Sequence, residues 1–216
     1  MTEFLLLLED ISNYSKKEVD QGKIPLDIYF ICSCIRNVFC LSYSIRNDNI
    51  FYLFITKHNL IIKFDGRRLK YLGPDERSQS LLLNKALNLS NQKNIKKKLD
   101  WIKSTPGISI QNFPAEQNLV DILNSITNKD LVIFNGDETL SSDFIKISPI
   151  NLEQLDRSFL IFPSYLKTHN NIEIFYQLNE KKKVLHYKIP YVKAIEDKIL
   201  YINFQIDRLK EKKLLD

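Results

Sequence analysis

The order of apolar runs is the feature of this sequence that most limits the possible folds. Short runs rich in Leu, Ile, Val and Phe alternate with longer stretches whose apolar residues recur every three or four positions. The first pattern is typical of buried strands and the second of helices that bury one face. The alternation favours an α/β fold, a mostly parallel sheet with helices on both faces. With 216 residues and no linker-like segment, we expect a single domain over residues 1–216.

The predicted elements follow from these periods. The predicted strands are Phe4–Leu8, Asn49–Thr56, Asn59–Phe64, Arg68–Leu72, Ile108–Gln111, Leu131–Phe134, Phe159–Phe162 and Val184–Tyr187. Lys57 and His58 join two of them as an antiparallel hairpin. The predicted helices are Leu26–Leu41, Asp75–Leu89, Asn94–Lys103, Pro114–Thr127 and a C-terminal helix whose apolar stripe runs from Val192 to Leu209. No apolar run reaches the ~18 residues of a membrane helix, so we expect no membrane association.

Composition narrows the class of protein without choosing a function. Cys32, Cys34 and Cys40 lie in one apolar stretch, whereas disulfide frameworks and zinc sites need separated clusters. We therefore expect buried reduced thiols, no metal and a cytoplasmic protein. The net charge of +5 suits a polyanionic partner but does not demand one. The lysine runs at 96–98 and 181–183 have the same two interpretations, a nucleic-acid contact or a solvated surface.

The segment from Leu72 to Ser78 is the most distinctive one. Asp75 can cap a helix that begins at Glu76, because its carboxylate can accept a hydrogen bond from the free backbone N–H groups there. Arg77 then projects from the first helical turn, beside the turn made by Gly73 and Pro74. That position suits a contact with phosphate, and it equally suits an internal ion pair with an aspartate.

Several segments together resemble one known family. They are Cys32-Ser33-Cys34, the loop Leu41–Asp48, the box Leu72–Ser78, the helix end Lys85-Ala86-Leu87, Trp101 with Ser104–Ile108, and the turn Asn135-Gly136. In this order they resemble the TrmY family, the archaeal tRNA pseudouridine N1-methyltransferases of the SPOUT superfamily. The resemblance covers roughly residues 26 to 136. It implies a SPOUT-like fold with a C-terminal trefoil knot, and a homodimer.

The same resemblance implies an activity and site residues. The reaction would be methyl transfer from S-adenosylmethionine to N1 of the T-loop pseudouridine in tRNA, with no residue indicated as the catalytic base. Candidate RNA contacts are Arg46, Arg67 and Arg77, since basic side chains hold the RNA backbone. Candidate cofactor contacts are Val132, Phe162, Lys188, Ile189, Pro190, Tyr191, Val192, Lys193 and Lys198.

The cofactor half departs from the family pattern. Glycines of the family's cofactor loops let the backbone approach the ligand closely, yet the last glycine here is Gly136. Phe162 and Pro163 stand in the first loop, and Lys198 stands where the family has a cysteine. Outside that half, Ser33 and Tyr43 replace an arginine and a histidine.

Two hypotheses follow from this contrast. In the first, the protein is a divergent methyltransferase in which backbone groups still hold S-adenosylmethionine. In the second, the cofactor is lost and the chain is a pseudoenzyme that binds RNA or acts as a dimeric assembly protein. A bulky Phe and a Pro at a glycine position favour the second hypothesis, and the well-kept first half of the chain favours the first.

Overall fold

The computed structural model describes residues 1–92, 100–134, 152–164, 184–189 and 192–215. The strands are β1 (Thr2–Leu8), β2 (Asn49–Ile55), β3 (Leu60–Asp65), β4 (Ile102–Thr105), β5 (Ile108–Asn112), β6 (Leu131–Phe134), β7 (Phe159–Pro163) and β8 (Val184–Tyr187). The helices are α1 (Lys16–Asp20), α2 (Leu26–Phe39), α3 (Glu76–Ser90), α4 (Leu119–Ile126), α5 (Leu152–Arg157) and α6 (Ile195–Leu215).

The strands form one mixed sheet in the order β4-β5-β3-β2-β1-β7-β6-β8. From β2 to β8 all neighbours are parallel, whereas β3, β5 and β4 continue the sheet antiparallel. The predicted α/β sheet and its hairpin are therefore confirmed. The knot predicted near the C-terminus stays a prediction, because residues 135–151 and 165–183 lie outside the described part.

Helices cover both faces of the sheet. Alternate residues of β1 point to opposite faces, so all seven of its residues are buried. Phe4 and Leu6 join the core under α2, α3 and α6, while Leu5 and Leu7 join the core under α4. None of the described helices is long and apolar enough to cross a membrane.

Three of the predicted elements are corrected by the structure. The strand predicted at Arg68–Leu72 is wrong, because the backbone N–H groups of Arg68 and Leu69 donate to the Asp65 carbonyl in a turn. The helix predicted at Asn94–Lys103 is wrong at its end, where β4 pairs with β5. Residues 93–99 lie outside the described ranges. Helix α4 begins at Leu119 rather than Pro114, because the Asn118 side chain accepts a hydrogen bond from the Asp121 N–H and caps it.

The cysteines behave as buried thiols where they lie in α2. Cys32 and Cys34 are fully buried, and neither forms a disulfide bond. Burial raises the pKa of the Cys32 thiol to about 12, so the reactive thiolate is scarce at neutral pH. These two residues contribute to the core, as the sequence predicts.

The apolar face of helix α6 packs against the core of its own chain. Ile199, Ile202 and Ile206, which belong to the predicted apolar stripe, are at most 3% exposed in the single chain, so a partner subunit in the predicted homodimer cannot be what buries them. Two polar contacts add to this packing: Asn203 donates to the Asn37 carbonyl at 2.8 Å, and Asp207 accepts from Arg46.

Candidate functional site

Three of the segments that carry the family resemblance, namely the loop 41–48, the box that starts at Leu72 and the segment 104–108, lie near one another at one end of the strands. The loop 41–48 precedes β2, the turn 66–72 follows β3, and Pro106 and Gly107 join β4 to β5. The Gly66 N–H donates to the Asn49 carbonyl at 3.0 Å, and the Asp65 N–H donates to the Gly107 carbonyl at 2.8 Å. Motifs that are far apart in sequence therefore form one continuous backbone surface.

Two glycines make this convergence possible. A Cβ atom at Gly66 would lie 2.2 Å from the Arg46 carbonyl oxygen. Gly107 has a φ of +83°, and a Cβ atom there would lie 2.4 Å from the Leu69 nitrogen. Any larger residue would separate the loops, because both contacts are to backbone atoms rather than to flexible side chains.

The start of α3 is built as the sequence predicts. Asp75 accepts a hydrogen bond from the Ser78 N–H at 2.8 Å and caps the helix. The Ser78 hydroxyl oxygen in turn accepts from the Gly73 N–H at 2.7 Å, and the buried Gln79 amide donates to the Gly73 carbonyl at 3.0 Å. This hydrogen-bond network holds the turn before α3 rigidly against the first turn of the helix.

The three arginines proposed as RNA contacts have different surroundings. Arg77 is exposed and pairs with Asp20 at 2.7 Å, which is the internal pair that the sequence left open. Arg67 is exposed in the turn after β3 and has no ion pair within the described residues. Arg46 is largely buried and donates two hydrogen bonds to Asp207, at 2.6 and 2.7 Å. Their contact with RNA stays a proposal.

A cleft of about 500 Å³ lies beside this surface, between α3 and β4. Its lining residues are Tyr71, Ser78, Leu81, Leu82, Lys85, Lys103, Ser104, Thr105 and Pro106. The sequence did not mark it as a site. The available signal was that Lys85 and the segment from Ser104 to Pro106 belong to two resembling motifs, although nothing in sequence shows that they face each other.

Three of the candidate cofactor residues, Val132, Phe162 and Ile189, lie in or just after β6, β7 and β8, and ligands bind at the carboxyl ends of such strands in open α/β sheets. Val132 and Phe162 are buried in β6 and β7, and Ile189 is buried just after β8. Lys188 and Lys193 are exposed, whereas Lys198 is buried in α6. Val192 is half-buried, and Pro190 and Tyr191 lie outside the described residues.

Phe162 is a core residue in this arrangement. Its ring stacks on Phe134 with centroids 4.9 Å apart and an interplanar angle of 5°, and Phe4 and Tyr187 extend the cluster. These four rings are at most 2% exposed and their faces are occupied by one another, so the groups left to hold S-adenosylmethionine are the backbone N–H and C=O groups at the strand ends. Whether the Phe162 ring narrows the ligand's space stays a prediction.

The cleft and the cofactor edge are far apart within one chain. Five strand spacings separate β5 from β6, which at about 4.8 Å each places them on the order of 24 Å apart across the sheet.

Comparison with known proteins agrees with this arrangement. Residues 7–152 match a protein-family model described as "Putative SAM-dependent RNA methyltransferase". The chain is 29% identical over 171 residues to a tRNA (pseudouridine(54)-N(1))-methyltransferase of Methanocaldococcus jannaschii, which covers 71% of this chain and 83% of that protein. It is 31% identical over 166 residues to the enzyme of the same name from Methanococcus vannielii, covering 68% and 80%.

A solved structure supports the architecture. Archaeoglobus fulgidus Nep1, crystallised with S-adenosylhomocysteine, aligns over 97% of this chain and 99% of its own, with a TM-score of 0.58 and 11% identity. At that identity the likeness concerns the fold alone, and it confirms the SPOUT-like α/β architecture. Since the family model covers more than half of its residues, the chain belongs to the SAM-dependent RNA methyltransferase family that includes the tRNA pseudouridine N1-methyltransferases.

Proposed function

We propose that this protein methylates N1 of a pseudouridine in the T-loop of tRNA, with S-adenosylmethionine as the methyl donor. The observation that carries the proposal is the extended match to relatives named for this reaction, together with the family-model match over residues 7–152, which contains the motif loops beside the cleft. The cofactor-deficient alternative is not favoured, because the matching family model is described as a SAM-dependent RNA methyltransferase and the matching relatives are named as methyltransferases.

In this proposal, one group of residues binds the cofactor and another binds the RNA. S-adenosylmethionine supplies an electrophilic methyl group when it is bound. Backbone groups of residues 188–193 and of the carboxyl ends of β6 and β7 would hold it, and the RNA would lie at the opposite ends of the strands. Holding both reactants in the right orientation can supply much of the rate enhancement, because orientation can lower the activation free energy by up to about 7–11 kcal/mol.

The RNA would lie against the surface formed by the loop 41–48, the turn 66–72 and the start of α3. Arg67 and Arg77 are exposed there, and we propose that they contact RNA phosphates. Arg77 would exchange its exposed partner Asp20 for phosphate at little cost, since surface ion pairs are worth about 0–1 kcal/mol. Arg46 remains a proposed contact as well, although its pair with Asp207 gives it a structural role.

A homodimer and a cytoplasmic location complete the proposal. The outward side of α6 carries Leu200, Tyr201 and Phe204, three large apolar side chains exposed to solvent in the single chain. Such a face suits a second copy, which could also bring the cofactor edge of one chain to the RNA surface of the other.

Calorimetric titration with S-adenosylmethionine tests the cofactor part of the proposal. We expect saturable binding, weaker than that of the Methanocaldococcus jannaschii relative because Pro163 lacks a backbone N–H donor. Pro163→Ala restores that donor and should tighten binding. Phe162 is left unchanged, since removing its stacked ring would cost about 3–5 kcal/mol of stability. Absence of heat with both S-adenosylmethionine and S-adenosylhomocysteine would favour the cofactor-deficient alternative.

A further inference from the structure

The cleft between α3 and β4 combines two cations without a counter-ion. Lys85 lies on α3 and Lys103 on β4, and both are exposed. Neither has an ion pair with any residue that the structure describes, and none of the described lining residues is acidic. Two lysines facing one space repel each other, so the cleft is favourable for an anion.

The floor of the cleft has hydroxyl groups that lack partners. Thr105 is only 7% exposed, and neither its hydroxyl oxygen nor that of Ser104 has a hydrogen-bond partner in the described part of the chain. The pairing of β4 with β5 shifts register between Lys103 and Thr105. Such a bulge turns successive side chains toward one side of a strand, and an unpartnered buried hydroxyl is costly unless a ligand or water satisfies it.

The mouth of the cleft offers an aromatic surface. Tyr71 lies in the turn before α3 and is 67% exposed, which is unusual for so large a side chain. Leu81 and Leu82 form an apolar wall on the α3 side. A volume of about 500 Å³ is within the range of about 300–1,000 Å³ typical of sites for small molecules.

We propose that this cleft is a nucleotide subsite, which takes one unstacked RNA base against Tyr71 and its phosphate between Lys85 and Lys103. The hydroxyls of Ser104 and Thr105 would bond to the ribose or to the base edge. The inference rests on the proposed function for its ligand, RNA. The cleft is about 24 Å or more from the cofactor edge, so within one chain the bound nucleotide is a neighbour of the target base rather than the target.

The test is the affinity of a fluorescently labelled T-loop hairpin RNA, measured by anisotropy over a range of salt concentrations. The double variant Lys85→Ala/Lys103→Ala should bind at least 10-fold more weakly at low salt. Its plot of log affinity against log salt should be shallower by about 0.7, the change expected for one lost phosphate contact on single-stranded RNA. Tyr71→Ala should weaken binding about 10-fold with the salt slope unchanged, whereas Tyr71→Phe should retain it.

The control variant Lys17→Ala/Lys23→Ala removes the same charge from exposed positions outside the cleft and should change affinity less than twofold. Thermal unfolding of every variant checks the fold. Equal affinity of the cleft variant and the control would overturn the subsite, and so would equally tight binding of free uridine monophosphate, which would indicate a small-molecule site. Methyl transfer by the wild type is measured separately: binding that depends on the lysines without any transfer would contradict the proposed function and leave the subsite standing.

Discussion

The ion pair between Arg46 and Asp207 should be a main attachment of α6 to the rest of the protein. The guanidinium donates to both carboxylate oxygens, at 2.6 and 2.7 Å, and the side chains are 13% and 37% exposed. Hydrogen bonds to charged groups contribute about 1.5–3 kcal/mol each, and partial exposure of Asp207 reduces that value. We therefore expect Arg46→Ala to lower the free energy of unfolding by about 2–3 kcal/mol.

The same loop and helix contain a matched control. Lys210 pairs with Asp48, and these side chains are 44% and 48% exposed. An exposed single-contact pair is worth about 0–1 kcal/mol, so Lys210→Ala should lower the free energy of unfolding by less than 1 kcal/mol. Arg46→Lys should recover less than half of the loss, because an ammonium cannot form the two-pronged contact.

Urea unfolding followed by circular dichroism gives these free energies. The double variant Arg46→Ala/Asp207→Ala, compared with Arg46→Ala and Asp207→Ala alone, gives the coupling between the two residues. We expect a coupling of about 1–2 kcal/mol. Equal losses for Arg46→Ala and Lys210→Ala would refute the reasoning that burial makes this pair structural. Unchanged stability combined with weaker tRNA binding would assign Arg46 to RNA alone.

Three further predictions follow from particular contacts. Gly107→Ala should destabilise the protein by at least about 2 kcal/mol more than Gly22→Ala in thermal unfolding, since both glycines have positive φ but only the Cβ at residue 107 meets backbone. Burial lowers the pKa of His186 to about 4, so stability should fall as pH drops from about 6.5 to 4, and His186→Gln should reduce this loss, measured by urea unfolding across that range. Phe204→Glu should convert a dimer into a monomer of 25.4 kDa in light scattering, and a wild-type monomer at micromolar concentration would contradict the dimer.

Local pattern was sufficient for most elements of the fold. Strand β6 begins and ends at the predicted residues, and α3 begins one residue after its predicted cap. The run Arg68–Leu72 has residues typical of a strand, but β5 already occupies the position beside β3. Pairing between segments far apart in sequence therefore overrides the local preference of this run. The end of the predicted helix Asn94–Lys103 became β4 for the same reason.

The candidate site was predictable only in part. The cap at Asp75 follows from residues close in sequence, and it was confirmed. The cleft depends on a bulge in β4 and on how closely α3 packs beside it, which no local pattern encodes. The position of the Phe162 ring could not be predicted either, because its stacking partners Phe4 and Phe134 lie on strands that are far from β7 in sequence.

The most direct measurement is methyl transfer to a defined tRNA. The purified protein is incubated with S-adenosylmethionine carrying a labelled methyl group and a tRNA that has pseudouridine at the target T-loop position, beside a matched tRNA with uridine there. Uridine bears its glycosidic bond at N1, so only pseudouridine can accept a methyl group at that atom. We predict label in the pseudouridine tRNA alone, identified by mass spectrometry as N1-methylpseudouridine. Transfer to neither tRNA under conditions that saturate the cofactor, or equal transfer to both, would contradict the account.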